Sequence, residues 1–363
     1  MSAPSVAMVS PYDLSVPGGV QGQVRALSVE LARRGQRVIV VSPGSSADPT
    51  LASAGVTHLV AGRTHLFPGN GSQAPITLSV NAARWAARCL LDDGVSLIHL
   101  HEPLTPLLGW PMLRSPQRAL VGTFHRSGDD GLYRALGQAL RPWSSNLDVS
   151  VAVSAAAATT ALRCAGVRCE VLFNGIDVAA LEDAEPWPTT SKVILFLGRD
   201  EPRKGRSVLL DAARTLPHDV EVWVTGEQGG DVAPDAGATV RFLGRIDERE
   251  KLRRLAAADV LCAPSLGGES FGVVLLEGLA AGCAVVASDI DGYRQALGEH
   301  GSLVAPGDPT ALSAALTEAL EAPQSRSTAR QAFVDRWSIS KLVDAYQACY
   351  ERALGAAAQR QRG

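Results

Sequence analysis

Short apolar runs alternate along nearly the whole chain with longer segments whose apolar residues recur every three or four positions. The apolar runs have the length of buried strands, and the amphipathic segments have the length of helices. Strands that alternate with helices are typical of parallel sheets joined by crossover helices. The pattern therefore predicts an α/β protein with two Rossmann-like, doubly wound parallel-sheet domains that face a cleft.

The predicted elements fall into two series, one on each side of a stretch that loses its periodicity and carries two prolines, 178–191. We therefore expect an N-terminal Rossmann-like domain over 1–180 and a C-terminal Rossmann-like domain over 190–340. An amphipathic segment closes the chain, and its helix, about 340–363, is able to pack back on the first domain. The predicted strands are 5–10, 37–42, 56–61, 95–100, 118–124, 148–153 and 169–173, then 192–197, 219–225, 238–243, 259–263, 283–288 and 301–304. The predicted helices are 20–34, 131–143, 154–165, 205–215, 247–257, 271–281 and 309–322.

The composition of the chain limits the classes of protein and of partner that are expected. The chain has 363 residues, of which 46% are hydrophobic and 20% charged, as in globular proteins. A net charge of −3 gives no basic surplus, so no nucleic-acid partner is expected. There is no signal-peptide pattern and no apolar run of the ~20 residues that cross a bilayer. We expect a protein of the cytoplasm, either soluble or peripheral at the inner face of the plasma membrane, with scattered free thiols at Cys89, Cys164, Cys169, Cys262, Cys283 and Cys349.

A glycine- and glutamate-containing block at 267–282 carries the most specific chemistry. Glu269 and Glu277 lie eight residues apart, and the glycines around them let a backbone approach a ligand closely. The helix start that follows offers the N–H groups of Phe271, Gly272 and Val273, and such a start attracts phosphate. This arrangement suits a sugar nucleotide. The alternative interpretation is a glycine-rich loop before a buried helix, with both glutamates merely solvated.

Two cations follow the predicted strand 192–197, where open α/β sheets bind ligands. Arg199 and Lys204 could neutralise a leaving diphosphate without a metal. The alternative is a solvated turn in which Glu201 and Arg203 are surface charges.

The first half carries two further candidate loops. A Gly18-Gly19 pair follows strand 5–10 without the dinucleotide-binding glycine pattern. His125 follows strand 118–124, and alternation along the preceding strand places His99 and His101 on one face. We interpret His101 and the two residues after it as support for the site.

Together these motifs resemble the retaining GT-B glycosyltransferases, and most closely the bacterial phosphatidyl-myo-inositol mannosyltransferases that use GDP-mannose. The resemblance runs from about residue 5 to about 350. Its motifs, in order, are P-G-G-V-Q at 17–21, H-x-H-E-P at 99–103, T-F-H at 123–125, N-G-I-D at 174–177, G-R-x-E-P-R-K-G at 198–205, G-G-E-S-F-G-x-V-L-x-E at 267–277 and A-V-V-A-S-D at 284–289.

The resemblance implies transfer of a hexose, mannose from GDP-mannose, to phosphatidyl-myo-inositol or a related inositol, lipid or polyol, with retained configuration and without a metal or other cofactor. The implied catalytic residues are His125, Arg199, Lys204 and Glu269. The implied donor-binding residues are Gly19, Arg199, Lys204, Ile246, Lys251, Glu269, Ser270, Phe271, Gly272, Val273 and Glu277. The implied acceptor-binding residues are Gly19, Gln21, Asn70 and His125. Glu269 would hold sugar hydroxyls and Glu277 the ribose, and Ile246 and Lys251 would line the nucleobase pocket.

Departures from the family concern the acceptor. The segment 78–91 has only Arg84 and Arg88 where relatives carry a lysine-rich helix that meets anionic lipid. The arginine expected shortly after Asn70 is absent, and the turn before Glu201 is one residue short. Asp289 and Asp291 spell D-x-D, which we interpret as structural and not as a metal site.

Three rival functions remain open. A sugar-nucleotide epimerase can share this fold and phosphate site, and a nonenzymatic sugar-nucleotide sensor would use the same pocket. A serine esterase is suggested by G-x-S-x-G around Ser270, with Asp289 or Asp291 and then His300 in the required order. Against the esterase, the serine lies several residues beyond the end of strand 259–263.

Overall fold

The structure, a computed structural model, describes residues 4–16, 18–69, 72–114, 116–128, 131–226, 229–232, 237–269, 271–321 and 337–362. It divides into two compact units. Unit 1 comprises Met1–Gly175 and Ile339–Gly363, and unit 2 comprises Ile176–Ser338. Among the helices in these ranges, none is both long and apolar enough to cross a bilayer.

Unit 1 is built on a seven-stranded sheet with the order β3-β2-β1-β6-β7-β8-β9, in which every pair of neighbours is parallel. Its central strands are buried at every position because helices cover both faces of such a sheet. The strands are β1 Val6–Val9, β2 Val38–Ser42, β3 Thr57–Val60, β6 Leu97–His101, β7 Ala119–Phe124, β8 Val149–Ala152 and β9 Glu170–Val171. A separate antiparallel hairpin joins β4 His65–Gly69 to β5 Ser72–Ile76.

The helices of unit 1 are α1 Gly19–Arg33, α2 Pro49–Ser53, α3 Val80–Asp92, α4 Trp110–Arg114, α5 Gly131–Ser144, α6 Ala155–Ala165 and the C-terminal helix Ile339–Arg360. That last helix packs into the same apolar core as α1 and the central strands, and it buries Val343, Tyr346, Tyr350 and Ala353 there. The end of the chain is therefore a structural part of the first unit.

Unit 2 has a second seven-stranded sheet with the order β12-β13-β11-β10-β14-β15-β16, parallel except for the antiparallel edge pair β12–β13. The strands are β10 Lys192–Phe196, β11 Val220–Thr225, β12 Gly229–Val232, β13 Thr239–Gly244, β14 Val260–Ala263, β15 Ala284–Ser288 and β16 Ser302–Val304. The helices are α7 Val178–Glu182, α8 Arg206–Ala213, α9 Glu248–Ala257, α10 Val273–Ala281, α11 Asp291–Leu297 and α12 Pro309–Glu321, with a 3₁₀ turn at Pro202–Lys204.

The predicted α/β class with two doubly wound sheets is confirmed. The C-terminal helix, expected at about 340–363, ends at Arg360, and each of the other predicted strands and helices is found within two residues of its expected bounds. The units divide at Gly175 and Ile176, so the whole segment 178–191 belongs to unit 2. Its first part is the short helix α7, whose start is capped by the Asp177 carboxylate accepting from the Ala180 N–H at 3.3 Å. One turn of helix is too short for periodicity to reveal.

Candidate active site

In unit 2, a glycine locks the turn after β10 against the segment after β14. Gly205 has φ +71°, and a Cβ at this position would lie 1.8 Å from the carbonyl oxygen of Pro264. The backbone of Pro264 therefore passes so close to position 205 that only glycine is accommodated there. The Leu266 N–H also donates to the Arg203 carbonyl at 2.7 Å. These contacts bring the basic turn to the loop that carries Glu269.

Five charged side chains form a continuous network between the turn and that loop. Lys204 Nζ lies 2.7 Å and Arg203 Nη1 2.5 Å from the same oxygen, Oε1 of Glu269. Glu201 pairs with Arg203 at 2.8 Å and with Arg199 at 3.1 Å. Because the Glu201 and Glu269 side chains are each only 14% exposed, these are not loose surface pairs. The alternative in which Glu201 and Arg203 are solvated surface charges is wrong.

The helix start predicted near Phe271 lies two residues later, since α10 begins at Val273. Gly272 is its N-cap with φ +85°, and a Cβ there would lie 2.5 Å from Cε1 of Tyr293. The Phe271 side chain is buried against Trp337, with ring centroids 5.5 Å apart. Phe271 and Gly272 can therefore meet a ligand only through their backbones. Ser270 lies outside the described residues.

The second predicted carboxylate, Glu277, is paired with a residue that we expected in the nucleobase pocket. Lys251 Nζ lies 2.8 Å from Glu277 Oε1 and 2.7 Å from Glu248 Oε1. Burial alone would lower the pKa of Lys251, but the two carboxylates outweigh it and raise that pKa. Ile246 is half-buried in the loop before α9. Glu277, expected at the ribose, and Lys251, expected at the base, thus form an ion pair with each other.

The D-x-D carboxylates of unit 2 share one arginine. Arg294 contacts Asp289 at 2.5 Å and Asp291 at 2.8 Å. Within the described ranges, no group of three or more His, Cys, Asp or Glu side chains is arranged to hold a metal ion.

In unit 1, the loop after β1 places Gly19 at the exposed first position of α1. Gln21 is 5% exposed, and its amide nitrogen donates to the Asp13 carbonyl at 3.5 Å. A Cβ at Gly18 would lie 2.4 Å from Oε1 of Gln21, so this side chain folds back over the loop. Asn70 lies outside the described residues.

Three histidines lie together at the carboxyl ends of β6 and β7. His101 Nδ1 and His125 Nε2 are 2.9 Å apart, and the His99 ring stacks on His101 with centroids 4.2 Å apart. Burial lowers the pKa of His99 and of His125 to about 3, and it also lowers the pKa of His101 well below its usual value. All three rings are therefore neutral near pH 7.

Glu102 anchors the backbone of this cluster. Its Oε1 accepts the N–H of His125 and, at 2.6 Å, the N–H of Arg126, and the Tyr133 hydroxyl donates to Oε2 at 3.0 Å. Glu102 has φ +47°, which is uncommon for a non-glycine residue and costs conformational energy. Burial raises the pKa of its carboxyl group, and the hydrogen bonds oppose that effect.

The C-terminal helix reaches the histidine cluster. The Tyr350 hydroxyl lies 2.9 Å from His99 Nδ1, and Thr123 Oγ1 lies 2.7 Å from His99 Nε2 and 3.0 Å from the Tyr346 hydroxyl. Sequence reasoning placed His99 and His101 on one face but missed the tyrosines. Their spacing of four residues on one helix face was the available signal.

Two family models match most of the chain. Residues 17–180 match the family model Glycosyltransferase Family 4, and residues 191–322 match the model Glycosyl transferases group 1. The phosphatidyl-myo-inositol mannosyltransferase of Mycobacterium leprae is 40% identical over 87% of this chain and 87% of its own. That of Mycobacterium tuberculosis H37Rv is 36% identical over 98% of each chain. The chain belongs to the phosphatidyl-myo-inositol mannosyltransferase family.

It is accordingly a glycosyltransferase, and a mannosyltransferase within that class. The fold of the described units is that of the GT-B enzymes. The Anabaena protein HepE, solved in complex with UDP and glucose, superimposes with a TM-score of 0.73 over 96% of this chain and 100% of its own. At 19% identity this match bears on the fold alone.

Proposed function

We propose that this mannosyltransferase moves mannose from GDP-mannose to a hydroxyl of phosphatidyl-myo-inositol and retains the anomeric configuration. The observation that carries the proposal is the contact of Lys204 with Glu269, 2.7 Å long, in the loop that leads to the start of α10. A cation, a carboxylate and a helix start with glycine as its cap are what a sugar diphosphate requires. The names of the mycobacterial relatives support mannose and the inositol lipid as substrates.

On the donor side, Arg199, Lys204 and the backbone near Gly272 in unit 2 bind the diphosphate. Glu269 accepts hydrogen bonds from mannose hydroxyls, and Arg203 holds that carboxylate in place through its 2.5 Å contact. Glu277 binds the ribose. Ile246 and Lys251 border the base, and the backbone of Val273 completes the cradle.

On the acceptor side, His125 and Gln21 of unit 1 face the reacting hydroxyl. Because burial lowers the pKa of His125 to about 3, this residue acts as a neutral hydrogen-bonding group and not as a general base. The proton of the acceptor hydroxyl therefore passes to the leaving phosphate oxygen on the same face of the sugar.

In this step the bond from mannose C1 to the phosphate oxygen breaks as the bond from C1 to the acceptor oxygen forms. Charge that develops on the diphosphate is stabilised by Arg199, Lys204 and the helix start, so the reaction proceeds without a metal or cofactor.

Lipid as the acceptor requires contact with a membrane surface. Helix α3 exposes Arg84, Trp85, Arg88 and Leu91, while Ala83, Ala86 and Leu90 face the core. Aromatic and basic residues on one face are the parts of an interfacial helix. We infer peripheral attachment at the inner face of the plasma membrane.

The test is a transfer assay with the purified protein, GDP-mannose and phosphatidylinositol vesicles, followed by NMR of the product anomer. An inverted anomer would contradict the retaining mechanism. Thermal-shift measurements with GDP, UDP and ADP and their sugars identify the donor, because a ligand at 100 times its Kd stabilises the fold by about 2.7 kcal/mol. Soluble inositols tested in place of vesicles separate a polyol acceptor from a lipid.

The rival functions have less support. A sugar-nucleotide epimerase would convert GDP-mannose with no acceptor present, and relatives 36–40% identical carry the name mannosyltransferase. For a serine esterase, the acid of the triad would be Asp289 or Asp291, and both are paired with Arg294. A sensor would bind the nucleotide sugar without turnover.

A further inference from the structure

We propose that His101 is a positioning residue that fixes the tautomer of His125, so that His125 carries its hydrogen on Nδ1 and presents an N–H donor to the sugar or the acceptor. The inference rests on the proposed function for the identity of that ligand. The tautomer itself follows from which ring nitrogens in unit 1 have a hydrogen-bond partner.

The rings of His101 and His125 are in direct contact. His101 Nδ1 and His125 Nε2 lie 2.9 Å apart, which is a hydrogen-bond distance. A neutral imidazole has one N–H and one lone pair. Since both rings are neutral near pH 7, one of these nitrogens must donate and the other must accept.

The surroundings of the other ring nitrogen of His101, Nε2, decide which of the two nitrogens in contact is the donor. His101 Nε2 is buried and has no hydrogen-bond partner among the described residues. If His125 were the donor, the hydrogen of His101 would sit on this buried nitrogen, with nothing to accept it. Buried N–H groups without an acceptor are rarer than buried acceptors without a donor. The hydrogen of His101 is therefore on Nδ1, and it is donated to His125.

The consequence for His125 is fixed by its ring chemistry. Its Nε2 accepts, so its single hydrogen is on Nδ1. Neighbouring contacts hold both rings in place: Glu102 accepts the backbone N–H of His125, and the His99 ring stacks on His101. His99 is in turn held by Tyr350 at 2.9 Å and by Thr123 at 2.7 Å. The C-terminal helix thus supports the orientation of a ligand-facing donor.

The tautomer is measurable in the full-length protein without any ligand. Long-range ¹H–¹⁵N spectra of histidine-labelled protein distinguish a protonated ring nitrogen from an unprotonated one. We expect a protonated Nδ1 and an unprotonated Nε2 for both His101 and His125. A protonated Nε2 on His125 would overturn the proposal, whatever the enzyme's activity.

The kinetic test compares two substitutions at position 101. His101→Phe keeps a ring but removes the donor, and His101→Asn places an amide N–H close to the position of Nδ1. Loss of the partner that orients a metal-bound histidine costs about 10- to 100-fold, and we expect a loss of kcat/KM of the same order for His101→Phe, with most of it recovered in His101→Asn. His58→Phe, a half-buried histidine of the same unit, is the matched control and should keep full activity.

Substitutions at His125 separate its two nitrogens. His125→Asn retains an N–H near Nδ1, and His125→Gln retains a polar group near Nε2. We expect the asparagine variant to keep more activity than the glutamine variant, and the reverse order would contradict the assignment. Full activity in His101→Phe would refute the positioning role even if mannosyl transfer is established. Absence of transfer by the unmodified protein would refute the proposed function and leave the NMR result intact.

Discussion

Lys204 Nζ lies 2.7 Å from Oε1 of Glu269, so the lysine proposed for the diphosphate is bonded to the carboxylate proposed for the sugar. Arg203 contacts the same oxygen at 2.5 Å. Charges that share one partner do not act independently, and substitutions at these positions should be non-additive. The network therefore connects phosphate binding to sugar positioning within unit 2.

Removal of either diphosphate cation should slow transfer strongly while the fold is retained. We expect Lys204→Ala and Arg199→Ala each to lower kcat by about 10²–10³-fold, because a preorganised donor to developing charge is lost. Steady-state kinetics at saturating donor measure this. Lys192→Ala is a matched control, since that exposed lysine donates to the Leu320 carbonyl. Near-normal turnover in both site variants would refute the diphosphate assignment.

Substitutions of the two carboxylates, Glu269 and Glu277, should change different kinetic parameters. Glu269→Gln removes the negative charge that pairs with two cations next to the reacting sugar, so we expect a large fall in kcat. Glu277→Gln leaves Lys251 still paired with Glu248, and we expect mainly a higher KM for the donor. Initial rates across donor concentrations separate the two effects. The opposite ranking would mean that the two roles are exchanged.

Sequence periodicity predicted the sheets because buried parallel strands such as β7 are continuous apolar runs. It could not predict the hairpin β4–β5 or the edge strand β12, which are short and rich in glycine or proline. The spacing of Glu269 and Glu277 indicated a ligand loop. The role of Arg203 could not be predicted from the sequence, because its contact with Glu269 spans 66 residues and depends on the close passage of Gly205 beside Pro264.

Chelation should leave the reaction unchanged. The proposed charge stabilisation uses arginine, lysine and a helix start, while Asp289 and Asp291 are paired with Arg294. We expect full activity after incubation with excess EDTA. A loss of activity that Mg²⁺ or Mn²⁺ restores would show instead that a metal takes part.

The buried histidines should make unit 1 sensitive to mild acid. The pKa of an unfolded histidine is about 6.5, whereas burial lowers that of His99 and of His125 to about 3. Between these values the unfolded chain binds protons that the native unit excludes, so stability falls as pH drops below 6.5. The slope is up to about 1.4 kcal/mol per pH unit for each such histidine. Glu102 acts in the opposite direction, because burial raises its pKa.

Urea unfolding at several pH values between 7 and 5 measures this effect. We expect the midpoint to fall over that range and the fall to be shallower in His99→Gln, which removes one titrating ring. The comparison uses the change of the urea midpoint with pH and not its absolute value, because the variant also loses contacts to Tyr350 and Thr123. A midpoint that is constant from pH 7 to pH 5 would contradict the prediction.

Attachment to anionic membranes should be weak and sensitive to salt. Trp85 is 44% exposed, so it is not packed into the core, and Arg84 and Arg88 are exposed beside it on α3. Each basic residue near an anionic surface contributes about 1 kcal/mol, so two give modest attraction. The Debye length shrinks from about 10 Å at 0.1 M salt to about 3 Å at 1 M, which removes most of that attraction.

Sedimentation with phosphatidylinositol-containing vesicles at low and high salt tests this attachment. We expect partial binding at low salt, loss of binding at high salt, and weaker binding for Trp85→Ala and for Arg84→Ala with Arg88→Ala. Leu162→Ala is the matched control, because Leu162 on α6 is 45% exposed and belongs to a different helix of the same unit. If the protein does not sediment with vesicles even at low salt, the acceptor is a soluble inositol or sugar. The glycosyltransferase assignment would stand, because it depends on the family match and not on α3.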